Sequence, residues 1–120
     1  MNKERWSIFF YKIRNGKSPI EDFLDNLPSK DLAQTRKEIS LLRDFGPFKL
    51  GMPHVKYLDD KIWELRIRGK NHHRIIWFIL KRHNIVFLHA FTKKENRISR
   101  RHLDTAFQRM QDFLKRFGGD

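Results

Sequence analysis

Between Lys61 and Thr92 the sequence holds three strand-like runs separated only by short polar turns, and this constrains the fold more than any other feature. Lys61–Arg68 alternates. Trp63, Leu65 and Ile67 share one face and Glu64, Arg66 and Arg68 the other, the pattern of a half-buried strand. Gly69-Lys70-Asn71 reads as a turn, His73–Leu80 is apolar nearly throughout, Arg82-His83-Asn84 turns the chain again, and Ile85–Thr92 completes the set. Runs this close together pair as an antiparallel meander, since a parallel connection needs roughly a dozen residues or more.

The flanks supply helices. Trp6–Arg14 is β-branched and aromatic, with Ile8 and Phe10 on one face and Phe9, Tyr11 and Ile13 on the other, which predicts a central strand. Ser18-Pro19-Ile20-Glu21 is a helix start: a capping serine, a proline at the first helical position and a glutamate to complete a capping box. Pro28 ends that helix, and Ser29 is expected to cap a second one with Asp31 in its first turn. Leu32, Ile39, Leu42 and Phe45 mark its apolar face, Gly46-Pro47 stops it, and Phe48–Pro53 reads as a loop. Ser99–Phe117 carries a stripe of Leu103, Ala106, Met110, Phe113 and Phe117, with Gly118-Gly119 at its end. The order β-α-α-β-β-β-α predicts one α+β domain over residues 1–120, helices packed against a small antiparallel meander.

Lys and Arg number 26 against 14 Asp and Glu, a net charge of +12. Most of that excess lies after residue 50, as do all six histidines. Such a balance points to a polyanionic partner. Cysteine is absent, which excludes disulfides, cysteine zinc sites and a cysteine nucleophile, and suits a reducing cytoplasm. The longest apolar run, Ile75–Leu80, is far below the roughly 20 residues of a membrane helix. Tyr11, Lys12 and Arg14 follow the first apolar residues too closely for a signal-peptide core. No phosphate-binding glycine motif occurs, and His72-His73, pointing to opposite faces of a strand, cannot share a metal by themselves, so neither a cofactor nor a metal is expected. Glu64 and Asp59-Asp60 read as surface ion-pair carboxylates.

The constellation that carries chemistry is basic. In an antiparallel meander the start of one strand lies beside the end of its predecessor, so Arg74 approaches Arg66 and Arg68 across the turn. If Ile85–Thr92 pairs with His73–Leu80, Lys93 and Lys94 join the same end of the sheet, with Arg97, Arg100, Arg101 and His102 following. Arginine forks and lysine point charges suit phosphate. A ribonucleotide's 2′-hydroxyl can attack its own 3′-phosphate in line, without metal, if the protein positions it and stabilises the developing charge. His102 or His89 is the candidate for moving a proton near neutral pH; His89 reads equally as a core histidine.

Three ordered segments, Trp63-Glu64-Leu65-Arg66-Ile67, His73-Arg74-Ile75-Ile76-Trp77 and Leu88-His89-Ala90-Phe91-Thr92-Lys93-Lys94, resemble the RelE/ParE toxin superfamily, nearest its phage-derived, HigB-like branch. Pro19–Leu24, Leu27-Pro28 and Gly51-Met52-Pro53 ahead of Lys56-Tyr57-Leu58 agree with it. The resemblance implies the toxin of a toxin–antitoxin pair. RelE and HigB relatives cleave messenger RNA, usually on translating ribosomes, through basic residues. Arg66, Arg74 and Lys94 match basic positions of the pattern, with His102 the nearest counterpart of a C-terminal proton-transfer residue. Lys56, Arg68, Lys70, Lys93, Arg97, Arg100 and Arg101 are expected to hold RNA phosphates. The implied partners are messenger RNA, the ribosome and an acidic-surfaced antitoxin, a helix-turn-helix protein from an adjacent gene. Two other readings stay open: a gyrase inhibitor like the ParE branch, and a basic RNA-binding module without catalysis.

Overall fold

The structure is a computed structural model and describes residues 5–94 and 97–118. In chain order it forms β1 (Ser7–Phe10), α1 (Pro19–Asp25), α2 (Ser29–Leu50), β2 (Val55–Asp59), β3 (Ile62–Arg68), β4 (His72–Ile79), β5 (Asn84–Lys93) and α3 (Arg100–Phe117). The architecture is α+β, with the expected helices and three-strand meander at nearly the expected limits. The sheet is mixed, with five strands in the order β1-β5-β4-β3-β2.

Two strands differ from expectation. β1 is parallel to β5, Ser7 opposite Asn84 and Phe10 opposite Phe87, and lies at the sheet edge. The apolar residues on both its faces reflect helices on both sides of the sheet. Ile8 and Phe10 pack toward α1 and α2, Tyr11 and Ile13 just beyond the strand pack toward α3, and Phe9 stays 48% exposed. β2 extends the meander at the other edge, with Val55 opposite Leu65 and Lys56 opposite Glu64. Its exposed Lys56 and Tyr57 hide the alternation that would mark a strand.

One core lies between α1, α2 and the sheet, built on Ile20, Ile39, Leu42, Leu65, Ile67, Ile75, Trp77 and Phe87. The other lies under α3, built on Ile62, Ile76, Phe78, Val86, Leu88, Ala106 and Met110. Leu103 and Phe113 of the α3 stripe join it, whereas Phe117 is 63% exposed; Gly119 lies outside the described residues.

The caps follow the sequence in part. Ser18 accepts from the Glu21 amide, but the reciprocal Glu21 bond is not formed. Ser29 is the first helical residue of α2; Pro28 occupies the cap position without a side-chain bond, and Asp31 supplies negative charge to the first turn. The helix breaks at Gly46, whose φ of 76° is left-handed, and a short turn through Pro47 follows to Leu50. A Cβ on Gly46 would collide with the Trp6 indole, so close approach as well as backbone conformation requires glycine here.

Candidate nucleic-acid interface

The α3 helix covers only part of its sheet face. Beyond it, alternation on β3 and β4 brings Glu64, Arg66 and Arg74 together, and the register sets Arg66 directly opposite Arg74. Glu64 is 2% exposed and Arg74 6%. One carboxylate therefore serves two guanidinium groups: Glu64 Oε2 accepts from Arg66 Nε at 3.0 Å, and Glu64 Oε1 lies 3.2 Å from Arg74 Nε. Arg74 also donates from Nη1 to the His73 carbonyl. This corrects the expectation that Glu64 is a surface carboxylate and Arg66 sits on an open face. The α3 side of β3 is walled by β2 and by the chain entering α3, so the charges are sequestered and must be paired.

Lys93 completes the cluster. It lies opposite His72 at the open end of β4 and feels the charges of Arg74, Glu64, Arg66 and Lys56. Desolvation first, and Arg74 second, lower its pKa below that of a solvated lysine. Burial likewise lowers that of Arg74, offset by Glu64.

Lys93 and Arg97 line two adjoining clefts. One, of about 360 Å³, runs over Lys56, Leu58, Glu64, Arg66 and Leu103. The other, of about 170 Å³, is walled by Phe91, Lys94, Ser99, Arg101 and His102. Together they form a basic trough between the sheet and the N-terminus of α3. A larger apolar hollow beside β1, lined by Phe9, Phe10, Phe113 and Phe117, lies away from these cations.

Of the residues singled out in the sequence, the trough gathers Lys56, Arg66, Lys93, Lys94, Arg97, Arg101 and His102, with Arg74 behind Glu64 and Arg68 near enough to act on Arg74. Two stand apart. Lys70 is in the β3–β4 turn, where its charge acts on Asp31, and Arg100 is exposed and paired with Asp104 at 3.1 Å.

Arg109 was not identified from sequence, and Glu64 was read only as an ion-pair carboxylate. Glu64 had a readable signal, since it lies two residues from Arg66 on a strand. The contact of His89 with His102 and Arg109 had none, because it depends on a bulge. Ile76 pairs with His89 and Trp77 with Phe87, so Leu88 is an extra residue and His89 turns to the α3 face. There His89 Nε2 lies 2.8 Å from His102 Nδ1, and Arg109 Nη1 lies 3.2 Å from His89 Nδ1. Among the described residues no group of three or more His, Asp or Glu side chains is placed to hold a metal ion, and no helix is long and apolar enough to cross a membrane.

A comparison with curated proteins finds no match. Residues 22–111, however, match a family described as phage-derived protein Gp49-like (DUF891). The matched span contains every trough residue named above as well as Arg109. The agreement extends over most of the chain and all but its first strand, first helix start and last helical turns, and so the chain belongs to the phage-derived Gp49-like family, a RelE-like toxin family.

Proposed function

We propose that the protein is the toxin of a type II toxin–antitoxin pair, close to the HigB-like branch, and that it cleaves messenger RNA on translating ribosomes without a metal. The observation that supports this most is the pair of adjoining clefts that Lys93 and Arg97 share, with Arg66 lining one and Lys94 the other, while Glu64 holds Arg66 and Arg74 in place. Three cations of the Glu64 cluster stand against one carboxylate, leaving excess positive charge for a phosphate. A phosphodiester in the trough is bound by Arg66, Lys93 and Lys94. The 2′-hydroxyl of the upstream ribose attacks phosphorus in line and gives its proton to water. The P–O5′ bond breaks, leaving a 2′,3′-cyclic phosphate and a 5′-hydroxyl. Negative charge grows on the non-bridging oxygens in the transition state, where fixed cations in a partly desolvated site act most strongly. Lys93, a stronger acid than a solvated lysine, supplies the proton to the departing 5′-oxygen.

Lys56, Arg68 and Arg101 extend the positive surface along the strand, and an acidic-surfaced antitoxin, a helix-turn-helix protein from the neighbouring gene, competes for the same face. Induced expression tests the reading. The wild-type chain should arrest growth and fragment messenger RNA. Arg66→Ala and Lys94→Ala should each lower cleavage on the order of 10²–10³. Lys12→Ala, beside the apolar hollow, should change little. Arrest with intact messenger RNA and DNA damage would favour gyrase inhibition instead. RNA bound but uncut, with no arrest, would favour a binding module.

A further inference from the structure

The histidine pair on the α3 face has a hydrogen-bond order that one residue dictates. A guanidinium has donors only. Arg109 Nη1 lies 2.9 Å from the Leu88 carbonyl oxygen and 3.2 Å from His89 Nδ1, and donates to both. His89 Nδ1 is therefore an acceptor without a proton, and the proton of that neutral ring is on Nε2. His89 Nε2–H in turn donates to His102 Nδ1 across 2.8 Å. His102 must then carry its own proton on Nε2, at the far edge of the ring. The ring is held flat against Phe91, centroids 3.8 Å apart and planes 9° from parallel, and His102 lines the trough with Lys93, Lys94, Arg97 and Arg101.

Protonating either ring breaks this order. A charged His89 would set N–H against the Arg109 guanidinium, and a charged His102 would set N–H against the Nε2–H of His89. The neighbouring charges act in the same sense. Arg109 and Arg101 of α3 act on His89 and Arg101 on His102, while Lys93 of β5 and Lys94 and Arg97 from the segment between line the cleft beside His102. Among the described residues, the carboxylates of Glu64 and Asp104 are engaged elsewhere, Glu64 by Arg66 and Arg74, and Asp104 by Arg100. Burial, then Arg109, hold His89 down to about 4, and burial with Arg101 lowers His102.

We propose that Arg109 and His89 are positioning residues that lock His102 as a neutral imidazole protonated at Nε2, so that it serves a substrate phosphate as a hydrogen-bond donor and not as a general acid or base. The second clause rests on the endoribonuclease reading; the first concerns the folded chain alone. A neutral ring whose one free nitrogen already bears a proton has no lone pair for a base, and gives up that proton far less readily than an imidazolium. A neutral imidazole used as a fixed donor is a known catalytic device.

Ring-nitrogen NMR of the full chain labelled with 15N-histidine tests the lock. At pH 7 both His89 and His102 should be neutral and protonated at Nε2, and His102 should titrate below the ordinary histidine range. Arg109→Met should release the order, mixing the His102 tautomers and raising its titration. If that variant does not fold, His89→Phe, which keeps a ring in place, should do the same. A charged His102, or one protonated at Nδ1, in the wild-type protein at pH 7 would overturn the lock whether or not RNA is cut. For the donor role, His102→Ala should lower cleavage on the order of 10². His102→Gln, which offers an amide N–H, should recover part of that loss, and the pH–rate profile should keep its shape in both. Glutamine no better than alanine, or a limb of the profile lost with His102, would overturn the donor role. A lock seen by NMR in a chain that cuts no RNA would leave the lock standing and sink the endoribonuclease reading alone.

Discussion

Glu64 has both its oxygens committed to arginines while nearly excluded from water. Removing one partner of such a pair strands the other, and the cost exceeds what the pair itself contributes. Glu64→Gln should therefore destabilise the fold by about 3–5 kcal/mol, read as a lower urea midpoint at unchanged slope. A loss below 1 kcal/mol would mean that water reaches Arg74. The i, i+2 spacing made the company of Glu64 and Arg66 readable. Their burial was not readable, because alternation assigns a face without saying what covers it. His89 makes a second residue-scale prediction. Its folded pKa, about 4, lies below the ordinary 6.5 of the unfolded chain. Between those values the unfolded state binds the extra proton, so stability falls as pH drops through the window. His89→Phe should flatten that fall in acid unfolding curves. An unchanged curve would show that His89 is not held neutral.

At the scale of elements, the start of α2 is fastened to the sheet through one histidine. His73, 3% exposed, bonds Asp31 Oδ2 by Nε2 at 2.6 Å and Thr92 Oγ1 by Nδ1 at 2.9 Å, joining α2, β4 and β5. The His73 bond, then that from Asn71, lower the Asp31 pKa. A depressed carboxylate stabilises the fold above its ordinary value of 3.8, and the contribution is lost as pH falls through the lower folded value. Asp31→Asn should thus be less stable than wild type at neutral pH, and the gap should narrow in acid; a gap independent of pH would contradict the tie. Asp31 was readable as a first-turn acid of α2, but its cross-chain partner was not. The same division holds for the strands. The meander followed from local alternation and turns, which require neighbours close in sequence. β1 pairs with β5 across more than seventy residues, and no local pattern tells an edge strand covered on both faces from a central one. β2 was missed because its outward side chains obscure the period.

At the scale of the molecule, the net +12 charge is not spread evenly over function. Arg100 and Arg101 are adjacent in sequence, yet only Arg101 lines the trough, while Arg100 pairs with Asp104. Each phosphate contact to a single strand adds roughly 0.7 to the slope of log affinity against log salt. Arg101→Ala should flatten that slope by about this amount in RNA binding, and Arg100→Ala much less. Equal effects would mean that RNA follows a path outside the trough. The central claim, that the trough cuts RNA by in-line attack of the 2′-hydroxyl, is tested most directly by the chemistry of the ends it makes. Messenger RNA on translating ribosomes, incubated with the wild-type protein in the presence of a chelator, should acquire internal breaks bearing 5′-hydroxyl and 2′,3′-cyclic phosphate ends, which Arg66→Ala fails to produce. Intact RNA, or breaks bearing 5′-phosphate and 3′-hydroxyl ends, would contradict the account.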